Sequence, residues 1–169
     1  MIIQKSRIFM PKIPKIISIG YIILLGITLG AGLYAGAVVA PVVFHSNTYL
    51  GEPLLTRFQE GLIMTENFIR LSYLVDFTLL AVALYEGFRW KNFDRDITTT
   101  ISSLLVISLG LLYVHYYIPQ ILAFQAQGEA VTKSKLFENT HFASELDFKL
   151  FAVALLVLLA RNLYRSLRS

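Results

Sequence analysis

Four stretches of this chain are long and apolar enough to cross a bilayer, about Ile16–Phe44, Leu62–Phe88, Ile97–Phe124 and Phe142–Leu163, and they leave little room for anything else. A spanning helix needs roughly 20 predominantly apolar residues. Inside hydrocarbon each backbone N–H and C=O must find its partner within the segment, so such runs read as helices. With 56% hydrophobic and 15% charged residues over 169 positions, the chain carries more apolar surface than a water-soluble domain of this size can bury. The expected fold is all-α: four transmembrane helices in one bundle over residues 16–163, with basic tails at 1–15 and 164–169. The first run exceeds the roughly 7–15 apolar residues of a cleaved signal segment, so it is expected to stay as a span.

Basic residues set the orientation. Lys5, Arg7, Lys12 and Lys15 precede the first run, Arg89, Lys91 and Arg95 lie between the second and third, and Arg161, Arg165 and Arg168 close the fourth. All fall on one side of an up-and-down bundle, which by the positive-inside rule places both termini in the cytoplasm of a plasma (inner) membrane. The net charge of +4 is then topological, directed at lipid headgroups and not at nucleic acid. The absence of cysteine excludes disulfides and thiolate metal sites.

A weak internal repeat runs through the chain. Gly32 precedes Pro41 by nine positions and Gly110 precedes Pro119 by the same nine; Glu66 and Glu145 follow those prolines by 25 and 26 positions, each with a cation four further on, Arg70 and Lys149. The chain thus reads as two similar helical hairpins, with both Glu-first ion pairs near helix starts. In the first run Gly26 and Gly30 form one ridge of small residues, and Gly32, Gly36 and Ala40 another. Ridges of this kind let helix backbones approach closely, so both are expected to pack, with Pro41 and Pro119 tolerated in the last turns of their helices.

Placed by depth, His45, His115 and His141 fall toward the non-cytoplasmic side with Glu66, Arg70, Ser144, Glu145 and Asp147. Together they make a candidate outward-facing polar pocket. Imidazoles and carboxylates are ligands for transition metals, and imidazole also binds haem, yet no ligand-spacing motif is present and the cofactor stays unassigned. Asp76 lies mid-span, where a charge is costly; it is expected to face the bundle interior, bonded to Tyr73, Ser108 or Tyr113, or to act in the pocket. Its repeat-related position is Leu155.

The segments "GLYAGAVVAPVVF", "FIRLSYLVDF", "YYIPQI" and "LFENTHFASELDF" also resemble the transmembrane protein 205-like family of bacterial-type integral membrane proteins, a domain of unknown function, over about Gly26–Leu159. Ala40, Pro41, Phe44, Pro119, His141 and Ser144 carry the resemblance. The family's asparagine after that serine is absent here, where Glu145 and Asp147 flank the position. The chain also looks in outline like membrane copper-resistance protein D and a haem-binding protoporphyrinogen oxidase, but Gly20–Phe44 lacks the oxidase pattern's histidine and arginine. The leading expectation is a non-enzymatic membrane protein with a pocket for a metal ion, haem or small solute. The alternatives are a haem- or metal-dependent oxidoreductase and an accessory subunit of a homo-oligomer or membrane complex.

Overall fold

A computed structural model describes residues 13–52, 54–92, 94 and 96–168; Lys5, Arg7, Lys12 and Arg95 lie outside the described residues. Regular structure among the described residues is helical, with no strand. Four long helices dominate: α1 (Lys15–Phe44), α2 (Arg57–Lys91), α3 (Ile97–Ala126) and α4 (Lys135–Arg168). Short helical turns at Ser46–Leu50 and Glu129–Thr132 join α1 to α2 and α3 to α4. Neighbouring helices run antiparallel, and α1 and α3 each pack between α2 and α4.

Local chemistry fixes the helix starts. Thr56 caps α2 through a reciprocal box: its hydroxyl accepts from the Gln59 N–H at 3.2 Å, while the Gln59 carbonyl accepts from the Thr56 N–H at 2.8 Å. Asp96 caps α3 by accepting the Thr99 N–H at 3.0 Å. Because α2 and α4 begin earlier than hydropathy suggested, Glu66 and Glu145 stand well inside their helices. Their pairs with Arg70 (2.8 Å) and Lys149 (3.2 Å) are therefore exposed side-chain contacts and not helix-terminal ones.

Three helices, α1, α2 and α3, are long and apolar enough to cross a membrane. The expected fourth run does not join them on that ground. Asp147 and Lys149 at one end and Arg161 at the other leave only Leu150–Ala160 uninterrupted, short of the roughly 20 residues a span requires.

The core follows a repeated stripe. Tyr21, Leu25, Thr28, Gly32 and Ala35 of α1 are buried, and so are the residues 78 positions on, Thr99, Ser103, Val106, Gly110 and Tyr113 of α3. Met64, Leu71, Val75, Thr78 and Val82 of α2 recur in the same way, 80 positions on, as Ser144, Phe151, Leu155, Leu158 and Asn162 of α4. Each first helix of a pair also contains one π-helical turn just before its proline, Ala35–Val39 and Tyr113–Tyr117, again 78 apart. Thr28 and Thr78 bond at 2.7 Å across α1 and α2 in the middle of this core.

Close packing at glycine is selective. A Cβ on Gly110 would meet Leu79 Cδ2 at 2.6 Å and one on Gly32 would meet the Phe148 ring at 3.1 Å, whereas Gly26, Gly30 and Gly36 have open space within 4 Å. Of the glycines in the two expected ridges only Gly32 packs tightly within the chain. The others are left open because the core-facing stripe of α1 passes through Leu25, Thr28 and Gly32.

Candidate functional site

Polar side chains gather at three levels. The first is the end bearing the two short turns, where the four helices enclose a cavity of about 560 Å³. Its walls are aromatic and aliphatic, with Phe44, Phe58, Met64, Phe68, Ile118 and Phe148 among them. Its rim carries Arg57, Glu129, Lys133, His141, Glu145 and Lys149.

The rim charges are paired among themselves. Arg57 donates to Glu60 at 3.3 Å and to the Phe44 carbonyl at 3.0 Å. Its guanidinium also lies 4.4 Å from the Phe44 ring centroid, so it ties the first connection back onto α1. Lys133 meets Glu129 at 2.8 Å, and Glu145 holds Lys149 at 3.2 Å and the His141 Nε2 at 3.3 Å. Deeper in, the Gln125 amide donates to the Thr65 hydroxyl at 2.8 Å and the Gly61 carbonyl at 3.4 Å. Gly61 can only accept, so this contact fixes which end of the amide is oxygen. Gln125 Oε1 and His141 Nδ1 are both buried and have no hydrogen-bond partner.

This cavity takes up part of the expected pocket. His141, Ser144 and Glu145 line it, with Gly36 and Ala40 of the small-residue ridge. His45, Glu66, Arg70, Asp76, His115 and Asp147 are not among its lining residues. His45 is exposed, and its ring bonds the Pro41 carbonyl of its own helix at 2.9 Å. Asp147 is buried with its Oδ2 unpartnered, while the Ser144 hydroxyl donates to the His141 carbonyl at 2.7 Å. Each histidine is thus engaged in a different setting. Among the described residues no group of three or more His, Asp and Glu side chains is arranged to hold a metal ion.

At mid-height His115 Nε2 lies 3.1 Å from Asp76 Oδ1, with the two side chains 59% and 41% exposed. Asp76 therefore turns to the outer surface between α2 and α3, not to Tyr73, Ser108 or Tyr113. The π turn at Tyr113–Tyr117 contains His115. Ser108, His115 and Pro119 of this helix are all exposed.

The third cluster, at the opposite end, draws on all four helices and was missed by hydropathy and charge counting. Buried Arg89 donates to Asn162 Oδ1 at 2.7 Å, Asp94 at 2.9 Å and Glu86 at 3.3 Å. Glu86 also accepts from Tyr21 at 3.1 Å and from Asn162 Nδ2 at 3.0 Å. Tyr85 stacks on Tyr21 with centroids 4.0 Å apart and donates to Ser18 at 2.9 Å. Arg161 grips Asp96 through two bonds of 2.7 and 2.9 Å, and Arg165 bonds Asp94. The Arg161 bonds, joined by those from Thr99 and opposed by partial desolvation, hold the Asp96 carboxyl well below the usual carboxylate range. Arginines counted as topological signals are therefore also structural bonds.

The fold and its outward-facing apolar side chains define a helical protein with three membrane-length segments, which fits a multi-pass membrane protein. The chain belongs to the family described as "Domain of unknown function (DUF4149)", whose model matches residues 23–130, more than half of the chain. Comparison with curated proteins and with solved structures returns no match.

Proposed function

We propose that the protein is a non-enzymatic, multi-pass inner-membrane protein, akin to the transmembrane protein 205-like proteins, that holds a small solute in the cavity between its short turns. In this reading α4 is a fourth crossing and both termini are cytoplasmic. Support comes from α4 packing along α3 and α1 with Ser144, Asp147 and Asn162 turned inward, while Phe142, Leu146, Leu150, Val153 and Leu156 are exposed and apolar. The Arg89, Arg161 and Arg165 end then faces the cytoplasm, and the cavity faces the other side.

The observation that carries the proposal is the 560 Å³ cavity itself, within the size range of small-molecule sites and with their mix of apolar walls and a few polar groups. Gly36 lines it with open space at its Cβ position. Protein purified in mild detergent is expected to retain an extractable small molecule, measured by mass spectrometry of the extract. Gly36→Leu, which fills the space, is expected to retain less; equal retention by both proteins would refute the cavity as the site.

One observation favours a second reading, an accessory subunit. The Asp76–His115 pair would lie half-exposed near the bilayer centre, where insertion of a charge costs roughly 2.5–3.5 kcal/mol, so a neighbouring protein would cover it. A single cysteine at exposed Tyr73, one turn from Asp76, would cross-link to another chain in native membranes under this reading. Absence of any cross-link would exclude it. No comparable observation favours a haem- or metal-dependent oxidoreductase.

A further inference from the structure

We infer that the Asp76–His115 pair is the contact through which this chain meets a second copy of itself, across a two-fold axis along the membrane normal. The inference rests on the reading in which a neighbouring protein covers this pair, and it names that neighbour.

Two observations and one constraint of symmetry carry it. First, the bond between His115 Nε2 and Asp76 Oδ1, 3.1 Å long, uses one polar atom of each side chain. Among the described residues Asp76 Oδ2 and His115 Nδ1 have no hydrogen-bond partner, unlike the His45 ring, which bonds a carbonyl of its own helix. The two side chains are 41% and 59% exposed on helices of membrane length, and acyl chains around them offer neither donor nor acceptor. Second, the free atoms are complementary to a copy of themselves. Net charge inside the bilayer is costly, and two arrangements leave the pair without it: carboxylate with imidazolium, or carboxylic acid with neutral imidazole. In both, His115 Nδ1 carries a hydrogen and donates, while Asp76 Oδ2 accepts. A partner must present one acceptor and one donor at matching positions, and the same pair on a second copy does so with no further residue. Third, chains inserted in one orientation are related only by an axis along the membrane normal, which keeps each residue at its own depth. Asp76 and His115 touch, so they share a depth. The axis therefore sets each donor against the other copy's acceptor, and two bonds satisfy all four atoms. Exposed Tyr73 and Leu80 on α2, with Leu111 and Tyr116 on α3, lie within about one turn of the pair and supply apolar contact around it.

The test begins with the full-length Tyr73→Cys protein, whose only cysteine is the introduced one, treated in native membranes with a membrane-permeant bifunctional thiol reagent. A product of twice the chain's mass is expected. A product of another mass would overturn the second copy as partner while leaving the covered-surface reading intact, and no product at all would remove both. Energy transfer between labelled copies reconstituted in bilayers then measures self-association directly. Asp76→Leu with His115→Leu in one chain removes both reciprocal bonds, and two interhelical hydrogen bonds correspond to roughly a 10- to 300-fold weaker association. Asp76→Asn keeps an acceptor oxygen and should weaken it less. Association of the double leucine variant equal to that of the wild type would overturn the assignment of the contact to this pair. The cross-link and the Asp76→Asn comparison decide the matter even if the leucine variant fails to fold.

Discussion

Replacing Glu86 by leucine tests how much of the fold depends on the polar cluster at the basic end. Glu86 accepts three hydrogen bonds, from Tyr21 on α1, Arg89 on its own helix and Asn162 on α4, at 3.1, 3.3 and 3.0 Å. Leucine takes the acceptor from all three, although Asn162 Nδ2 keeps the Leu158 carbonyl at 3.0 Å. Each stranded buried donor costs about 1–3 kcal/mol, but Arg89 keeps Asp94 and the Asn162 carbonyl, and Tyr21 keeps its stack on Tyr85. The expected net loss is about 3–5 kcal/mol, the range for removing one partner of a buried ion pair. Glu86→Gln keeps an acceptor oxygen and should lose only about 1–2 kcal/mol. A triple variant, Glu86→Leu with Arg89→Met and Asn162→Leu, removes two of the three donors as well and leaves the Tyr21 hydroxyl. It should recover part of the loss, because apolar replacement of a buried ionic cluster is often near neutral. Unfolding by denaturing detergent, followed by circular dichroism in a mild host detergent, measures all three. A Glu86→Leu protein within about 0.5 kcal/mol of the wild type would refute the reasoning, as would a triple variant less stable than the single one.

Three shorter predictions follow from other parts of the structure. Gly110→Ala places a methyl 2.6 Å from Leu79 and should cost about 1–3 kcal/mol; Gly36→Ala meets nothing within 4 Å and should leave the melting temperature unchanged. Because the folded-state pKa of Asp96 is depressed, its contribution is present above the unfolded carboxylate value of about 3.9 and is lost as pH falls below that toward the folded value; Asp96→Asn should flatten the stability profile in that acidic window, as acid titration of the melting temperature would show. Since the chain has no cysteine, single cysteines at Ser134 and Asn92 report topology: an impermeant thiol reagent added to intact cells should label Ser134→Cys only, and labelling of Asn92→Cys instead would invert the proposed orientation.

The helical architecture was legible because burial in this chain follows composition over long runs. Even the nine-residue Gly-to-Pro spacing marked something physical, the paired π turns at Ala35–Val39 and Tyr113–Tyr117. Side-chain direction was less legible. Depth alone placed His45, His115 and His141 together, but only His141 lines the cavity, since depth fixes height and not rotation about the helix axis. Gln125 gave no signal, because one amide at the end of an apolar run looks like a helix end. Glu86, Arg89 and Asn162 were obscured for a different reason: arginine near a helix end is ordinary topology marking, and only contact with a distant acid and amide reveals a bond. The fourth run was less legible: Asp147, Lys149 and Arg161 interrupt it, and the burial of Asp147 and Asn162 shows only in the folded helix.

The cluster at the basic end also gives the molecule a mechanical asymmetry. All four helices are pinned there by side chains bonded across helix boundaries, while at the far end they part around open volume. Such an assembly behaves as a set of levers with a common pivot. An α1 of 30 residues is about 45 Å long, so a tilt of only ~5° at the pinned end sweeps the free end through ~4 Å. Small angular adjustments at the bonded end would thus become ångström-scale changes in the width of the opening at the other.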